Sequence, residues 1–129
     1  MSFTHTIQTI YSGTGTALDK SKSISAGSEQ NISEAIADST TDALIAGFTC
    51  DYSQLKMIMI FSDQTITLET NSPSAADQTI TITAGVPFVW IYESGITNPI
   101  TTDVTALYAT NASGSTANLE IRKLEDPTA

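Results

Sequence analysis

The sequence predicts an all-β fold, an antiparallel β-sandwich or jelly roll of roughly eight to ten short strands. Apolar residues alternate with threonine and serine through most of the chain, which is the period of a half-buried strand. Turn-forming residues recur at intervals of about ten residues, the spacing found in sandwiches and jelly rolls. No segment has a helical period longer than about two turns, so a helical fold is not expected.

Three strands are expected before residue 43. Phe3–Tyr11 is a threonine-rich strand, and the following "SGTGTALDKSKS" has the glycines of a loop. Residues 22–26 form a short polar strand. Residues 28–42 are ambiguous, because Ile32 and Ile36 satisfy both a helical and a strand spacing. The all-β context favours a strand followed by a polar loop.

The middle of the chain contains the clearest patterns. Residues 43–52 predict a strand interrupted by a bulge at Gly47. Residues 56–62 form a strand that is apolar on both faces. Residues 64–70 and 78–85 alternate cleanly around a short Asn- and Pro-containing turn, which predicts a hairpin.

The last third begins with the strand "VPFVWIY" and a loop over residues 93–103. Residues 104–110 and 117–124 then flank "NASGS" and predict a second hairpin. Residues 125–129 are expected to be a tail.

The length and composition predict a single domain over residues 1–129, with an N-terminal strand and loop in residues 1–27. Hydrophobic residues are 40% and charged residues 15% of the chain, with a mean hydropathy of +0.02. A disordered chain has fewer large apolar residues and more charge. The chain is therefore expected to bury its own core.

The net charge of −9 argues against several partners. An acidic chain without a basic stripe is not expected to bind nucleic acid or an anionic membrane surface. The acidic surface keeps a protein soluble, and it would also steer docking onto a basic partner. The N-terminus lacks the pattern of a signal peptide, and no segment has the length of a membrane span. We expect synthesis in a cytoplasm, with later export only inside a larger particle.

The residues that commonly carry chemistry are few and scattered. Cys50 and His5 are the single cysteine and the single histidine, and each is expected to have a packing or surface role. The acids at predicted loops, among them Asp63, Asp77 and Asp103, fit turn formation better than a calcium site. We therefore expect a protein that is not an enzyme, with no catalytic residues, no metal and no cofactor.

Two strands have no polar face: residues 57–61 and residues 88–92. A small sandwich normally leaves one face of each sheet in water. We interpret the second face as an interface with another chain, in a homo-oligomer such as a trimer. The alternative is that loops of the same chain cover it. The predicted interface residues are Phe88, Trp90, Tyr92, Ile96, Pro99 and Ile100. As a further alternative, Trp90 and Tyr92 would stack on sugar rings.

Three runs carry a resemblance to a known group of proteins: "DQTITLETNS" from residue 63, "QTITITAGVPFVW" from residue 78, and "TTDVTALYATNASGSTANLEIRKL" from residue 101. They resemble small proteins encoded among the virion structural genes of tailed bacteriophages. The segment "NISEAIADSTTD" is similar to the middle segment of the same group. The resemblance covers about residues 31–124 and contains no catalytic motif.

The resemblance implies a β-sandwich accessory protein of the virion, such as a capsid cement or decoration protein. The expected partners are further copies of the chain and a major capsid or other virion protein, and the expected location is the virion. The alternative function is a lectin-like, carbohydrate-binding virion or host-attachment module.

Overall fold

The computed structural model describes residues 2–127 and contains ten β-strands, with no helix among these residues. The all-β prediction is confirmed. The strands, in chain order, are β1 Phe3–Tyr11, β2 Leu18–Ala26, β3 Ser28–Ile36, β4 Thr40–Leu44, β5 Leu55–Ser62, β6 Ile66–Thr70, β7 Gln78–Ile82, β8 Phe88–Ile91, β9 Leu107–Asn111 and β10 Ala117–Glu125.

Eight of these strands form two four-stranded antiparallel sheets, and β1 and β2 form a separate two-stranded ribbon. The first sheet has the order β3-β10-β5-β8 and the second has the order β4-β9-β6-β7. The two sheets pack against each other as a sandwich. The chain repeatedly crosses between them, so most sequence neighbours lie in different sheets.

The core between the sheets follows from alternation along each strand. In β10, Leu119 and Ile121 are completely buried, whereas Glu120 between them is exposed. In β6, Ile66 and Leu68 face the same core from the second sheet. The predicted hairpin around residues 71–77 is confirmed, because β6 pairs with β7 along its length.

Two predictions on strand extent are wrong. β2 starts at Leu18, within the predicted loop, because nine residues of β1 and β2 pair in continuous register despite their polar sequence. The strand predicted over residues 43–52 ends at Leu44. Gly47 has a positive φ of 81° there, so the chain turns, and only Cys50 returns to strand pairing, as a single bridge to Val104.

The predicted hairpin of residues 104–110 and 117–124 is also wrong. β9 pairs with β4 and β6 in the second sheet, whereas β10 pairs with β3 and β5 in the first. The segment between them therefore crosses from one sheet to the other, which local sequence does not distinguish from a hairpin turn. The expected tail also starts later, because Glu125 is buried as the last residue of β10; residues 128–129 lie outside the described residues.

The ambiguous segment 28–42 begins with a strand, β3, as the all-β context indicated. The two strands without a polar face are neighbours, because β5 pairs with β8 in the first sheet. Their inner residues, such as Ile58 and Trp90, face the sandwich core, and Met57 and Ile91 face outwards. The second apolar face is therefore the outer face of the first sheet.

Candidate functional site

Part of this outer face is covered by the chain's own N-terminal ribbon, which we call the arm (residues 3–26). Ile7, Ile24 and Ala26 of the arm are buried in one cluster with Met57 and Leu124 of the first sheet. The same-chain alternative is thus correct for this part of the face, although the cover is a pair of strands rather than a loop.

A lysine of the arm contacts the two residues that follow the edge strand β8. The ammonium of Lys22 lies 5.1 Å from the ring centroid of Tyr92 and 3.8 Å from a carboxylate oxygen of Glu93. Lys56 approaches the same ring at 4.6 Å. Two ammonium groups therefore approach the ring of Tyr92, which also packs against both hydrophobic clusters of the domain.

Beyond Lys22 the arm projects from the domain. Ile10, Tyr11 and Leu18 are 58%, 69% and 58% exposed, and nearly all residues of the arm between Ile7 and Ile24 are exposed. Tyr11 lies four positions after Ile7 in β1. At about 3.3 Å per residue, the end of β1 extends roughly 13 Å past the last packed side chain.

The apolar face of the arm continues into the projecting part. Side chains of a strand alternate between its faces, so Tyr11 lies on the same face as Ile7. Tyr11 is paired across the ribbon with Leu18, which places two large apolar side chains side by side at the tip. At the base of the arm, this face packs on the first sheet. At the tip, the same face lies beyond its own domain and is exposed.

Charge is distributed unevenly between the arm and the sandwich. The arm carries two lysines, Lys20 and Lys22, against one acid, Asp19. The remaining residues of the chain carry three bases and thirteen acids. The arm is thus slightly basic on a strongly acidic domain, and it is suited electrostatically to an acidic surface.

The six predicted interface residues do not form one exposed surface. Trp90 is 8% exposed, and its indole nitrogen donates a hydrogen bond of 2.8 Å to the carbonyl of Ile96. Phe88 is half-buried and packs against the core between the sheets, as does Tyr92. Pro99 is half-buried, and its carbonyl accepts a hydrogen bond from the side chain of Gln78.

Two isoleucines of the loop after β8 differ in burial. Ile100 is 2% exposed and belongs to the core cluster, so the expectation that it lies outside the sandwich core is wrong. Ile96 is 67% exposed. Within this loop, the side-chain oxygen of Asn98 accepts a hydrogen bond of 2.9 Å from the backbone nitrogen of Ile100. The turn therefore lies immediately before the buried Ile100.

Cys50 and Asp63, whose residue types often take part in catalysis, have structural environments in this protein. Cys50 is buried, and burial raises its pKa to about 12, although the charge of Lys123 acts in the opposite direction. A nucleophilic cysteine needs a lowered pKa and access to solvent. Asp63 accepts bonds from the backbone and side chain of Asn118, and these hold its pKa below the ordinary value.

Comparisons with protein-family models, curated proteins and solved structures gave no match. Within residues 2–127, no three histidine, cysteine or acidic side chains are grouped as metal ligands. No helix among these residues is long and apolar enough to cross a membrane.

The projecting arm is the feature that the sequence analysis did not identify. One signal for it was present. Ile7 and Tyr11 share one face of β1, whereas Ile10 lies on the other. The end of β1 is therefore apolar on both faces, like β5 and β8. Only the second half of the pairing partner of β1, residues 22–26 of β2, was predicted as a strand, because residues 18–21 have the composition of a loop.

Proposed function

We propose that this chain is a non-enzymatic structural protein of a phage virion, a capsid cement or decoration protein, that binds neighbouring chains through its arm. The observation that carries the proposal is the projecting tip of the arm, with Ile10, Tyr11 and Leu18 exposed. Exposed apolar clusters of this kind on a stable domain are commonly binding surfaces.

The form of the arm suits a role in assembly. A two-stranded ribbon has a free edge on each strand, and its pairing groups remain available for another chain. An arm that reaches past its own domain joins molecules whose globular parts need little direct contact. When many copies act together on one particle, weak single contacts give strong overall binding.

The carbohydrate-binding alternative receives no support from the position of Trp90. A stacking platform needs an exposed aromatic face, and Trp90 is buried with its nitrogen hydrogen-bonded. The ring of Tyr92 is approached by the ammonium groups of Lys22 and Lys56. We therefore place the binding function on the arm rather than on β8.

Mass spectrometry of purified phage particles from the source of this gene tests the proposal directly. We expect the chain in the particles, at a fixed ratio of copies to the major capsid protein. Its absence from thoroughly washed particles would contradict the virion assignment.

A binding experiment then tests the role of the arm. Particles lacking the chain are incubated with purified protein and sedimented. A variant with Ile10, Tyr11 and Leu18 all replaced by serine should remain in the supernatant. The control is Leu44→Ser, which removes a residue 57% exposed on the other sheet and should leave binding unchanged. Equal binding of the triple variant and the wild type would exclude the arm as the binding element.

A further inference from the structure

The outer face of the second sheet carries two carboxylates and no base. Asp42 of β4 and Glu69 of β6, which we call the acidic pair, are the only charged residues in the four strands of this sheet. Glu69 lies between the buried Leu68 and Thr70, so its side chain points outwards. Most of the other outward residues of these strands are threonines: Thr67, Thr79, Thr81 and Thr110. Apart from the acidic pair, this face is therefore uncharged.

The two carboxyl groups of the acidic pair lie together. Thr110 positions Asp42, because its hydroxyl lies 3.3 Å from a carboxylate oxygen of Asp42 and accepts a hydrogen bond of 3.1 Å from the backbone nitrogen. A hydrogen bond with Asp42, partial burial and the charge of Asp42 together raise the pKa of Glu69 above its ordinary value. No lysine, arginine or histidine within residues 2–127 forms an ion pair with either carboxylate. Within one molecule, the repulsion between the two groups is therefore not offset by a neighbouring cation.

The projecting part of the arm carries a cation that lacks a carboxylate partner. Lys20 is exposed and forms no ion pair with any other residue of the described range 2–127. It lies two positions from Leu18, on the same face of β2, and Leu18 is paired with Tyr11 across the ribbon. The free face of the arm tip thus presents one ammonium group beside two large apolar side chains.

The arm tip and the second sheet match in the order and spacing of these groups. Two strand positions, or about 7 Å, separate Lys20 from Leu18 on β2, and the same interval separates Glu69 from Thr67 on β6. Thr67 belongs to a row of threonines, because it is paired with Thr81 on one side and with Thr110 on the other. When an ammonium group lies over the acidic pair, the apolar side chains beside it therefore lie over threonine methyl groups.

The arm of the same chain cannot make this contact. Ile7, Ile24 and Ala26 pack the base of the arm on the outer face of the first sheet, whereas the acidic pair lies on the opposite side of the sandwich. The cation has to come from another molecule. Charge favours a second copy of this chain, since its slightly basic arm complements its own strongly acidic sandwich.

We propose that the arm of one copy lies on the outer face of the second sheet of another copy, with Lys20 between Asp42 and Glu69 and with Leu18 and Tyr11 on the neighbouring threonines. The contact joins two different surfaces, so each copy gives one arm and receives one. Its repetition forms a closed ring or an open row of copies. This inference rests on the proposed function, since it names the chain that the arm binds.

Sedimentation of the isolated protein over a range of concentrations tests the inference without any particle. The wild type should associate reversibly. Lys20→Glu and Glu69→Lys each bring like charges together and should each raise the dissociation constant at least about tenfold. Glu120→Lys is the matched control, because it makes the same change in net charge at an exposed residue of the first sheet. This control should associate like the wild type.

A mixing experiment tests whether these two residues meet. Lys20→Glu and Glu69→Lys should associate when they are combined, although each associates poorly alone. In the mixture, the introduced glutamate meets the introduced lysine, and the native Lys20 of one variant meets the native acidic pair of the other. Circular dichroism of each variant serves as the folding control.

Glu69→Gln separates a binding role from a structural one. This variant keeps the size of the side chain but removes its charge, so it should weaken association. It also removes the repulsion within the acidic pair, so the melting temperature of the dilute, monomeric protein should not fall. A lower melting temperature with unchanged association would assign Glu69 a structural role only and contradict the inference.

Three further results would overturn the inference: a wild type that stays monomeric, a Lys20→Glu variant that associates like the wild type, or charge-reversed variants that do not combine on mixing. Failure here is distinguishable from failure of the proposed function. A monomeric protein whose arm-tip variant loses its hold on particles would place the arm on a capsid protein, and the proposed function would stand. Self-association of a chain that is absent from purified particles would contradict the proposed function alone.

Discussion

Lys123 and Glu125 form an ion pair inside the sandwich, with 2.7 Å between the ammonium nitrogen and a carboxylate oxygen. They lie two residues apart on β10, so both point towards the core side of the first sheet. Lys123 also lies 5.8 Å from the ring centroid of Phe48, and Glu125 accepts a hydrogen bond of 3.3 Å from the backbone of Asp51. The pair therefore ties the end of β10 to the turn that precedes β5.

The first prediction concerns this pair. Replacing Lys123 by methionine should lower the free energy of unfolding by about 3–5 kcal/mol, because Glu125 is left as a buried charge without its partner. Urea denaturation followed by tryptophan fluorescence measures the change. The double variant Lys123→Met, Glu125→Leu should recover most of the loss, since it removes both charges. A double variant as unstable as the single one would show that packing of the lysine stem, rather than the charge, matters.

The second prediction concerns Cys50. Burial raises the pKa of its thiol from about 9 to about 12 in the folded protein. Between these values the folded state keeps a proton that the unfolded state has lost, so stability should fall as the pH rises from about 9 towards 12. The slope from this group approaches about 1.4 kcal/mol per pH unit. Wild type and Cys50→Ala, unfolded by urea at pH 8, 9 and 10, should differ by this slope; parallel pH profiles would exclude it.

The sequence predicted the sandwich because the pattern that indicates β-strands is local. Alternation between apolar and polar residues is a property of each strand, and β6 and β7 also have a short turn between them. Apart from the β6–β7 hairpin, it did not predict which strands pair. The segment between β9 and β10 has the composition of a hairpin turn, but the sheet that each strand joins is decided by long-range contacts.

The candidate site was predictable only in part. The two-faced strands correctly indicated that something covers the outer face of the first sheet. Their sequence does not reveal that the cover includes Ile7 and Ile24, since these residues lie in a polar, threonine- and serine-rich ribbon. The sequence likewise does not distinguish the buried Ile100 from the exposed Ile96.

The third prediction concerns Asn111, which is completely buried at the end of β9. Its side-chain nitrogen donates to the carbonyls of Ile36 and Ser115 at 2.9 and 2.8 Å, and its oxygen accepts from the backbone of Ser113 at 3.1 Å. Asn111→Ala leaves these backbone groups without partners and should cost about 2–4 kcal/mol. Chemical denaturation measures the cost. Asn98→Ala, at a half-buried asparagine in a loop, is the comparison and should cost less; equal costs would contradict a special role for Asn111.

The fourth prediction separates two isoleucines of the loop after β8. Ile100 is 2% exposed in the core, so Ile100→Asp places a carboxylate among apolar side chains and should prevent folding under ordinary conditions. Ile96 is 67% exposed, and Ile96→Asp should change the free energy of unfolding by less than about 0.5 kcal/mol. Far-ultraviolet circular dichroism and thermal melting of both variants provide the measurement. Because a charge at Ile100 is severe, Ile100→Ala should also be made, and it should fold with a loss of about 2–5 kcal/mol. A folded and fully stable Ile100→Asp would contradict the burial of this residue in the core. The loop would then lie at the surface, where contact with another chain was predicted from the sequence.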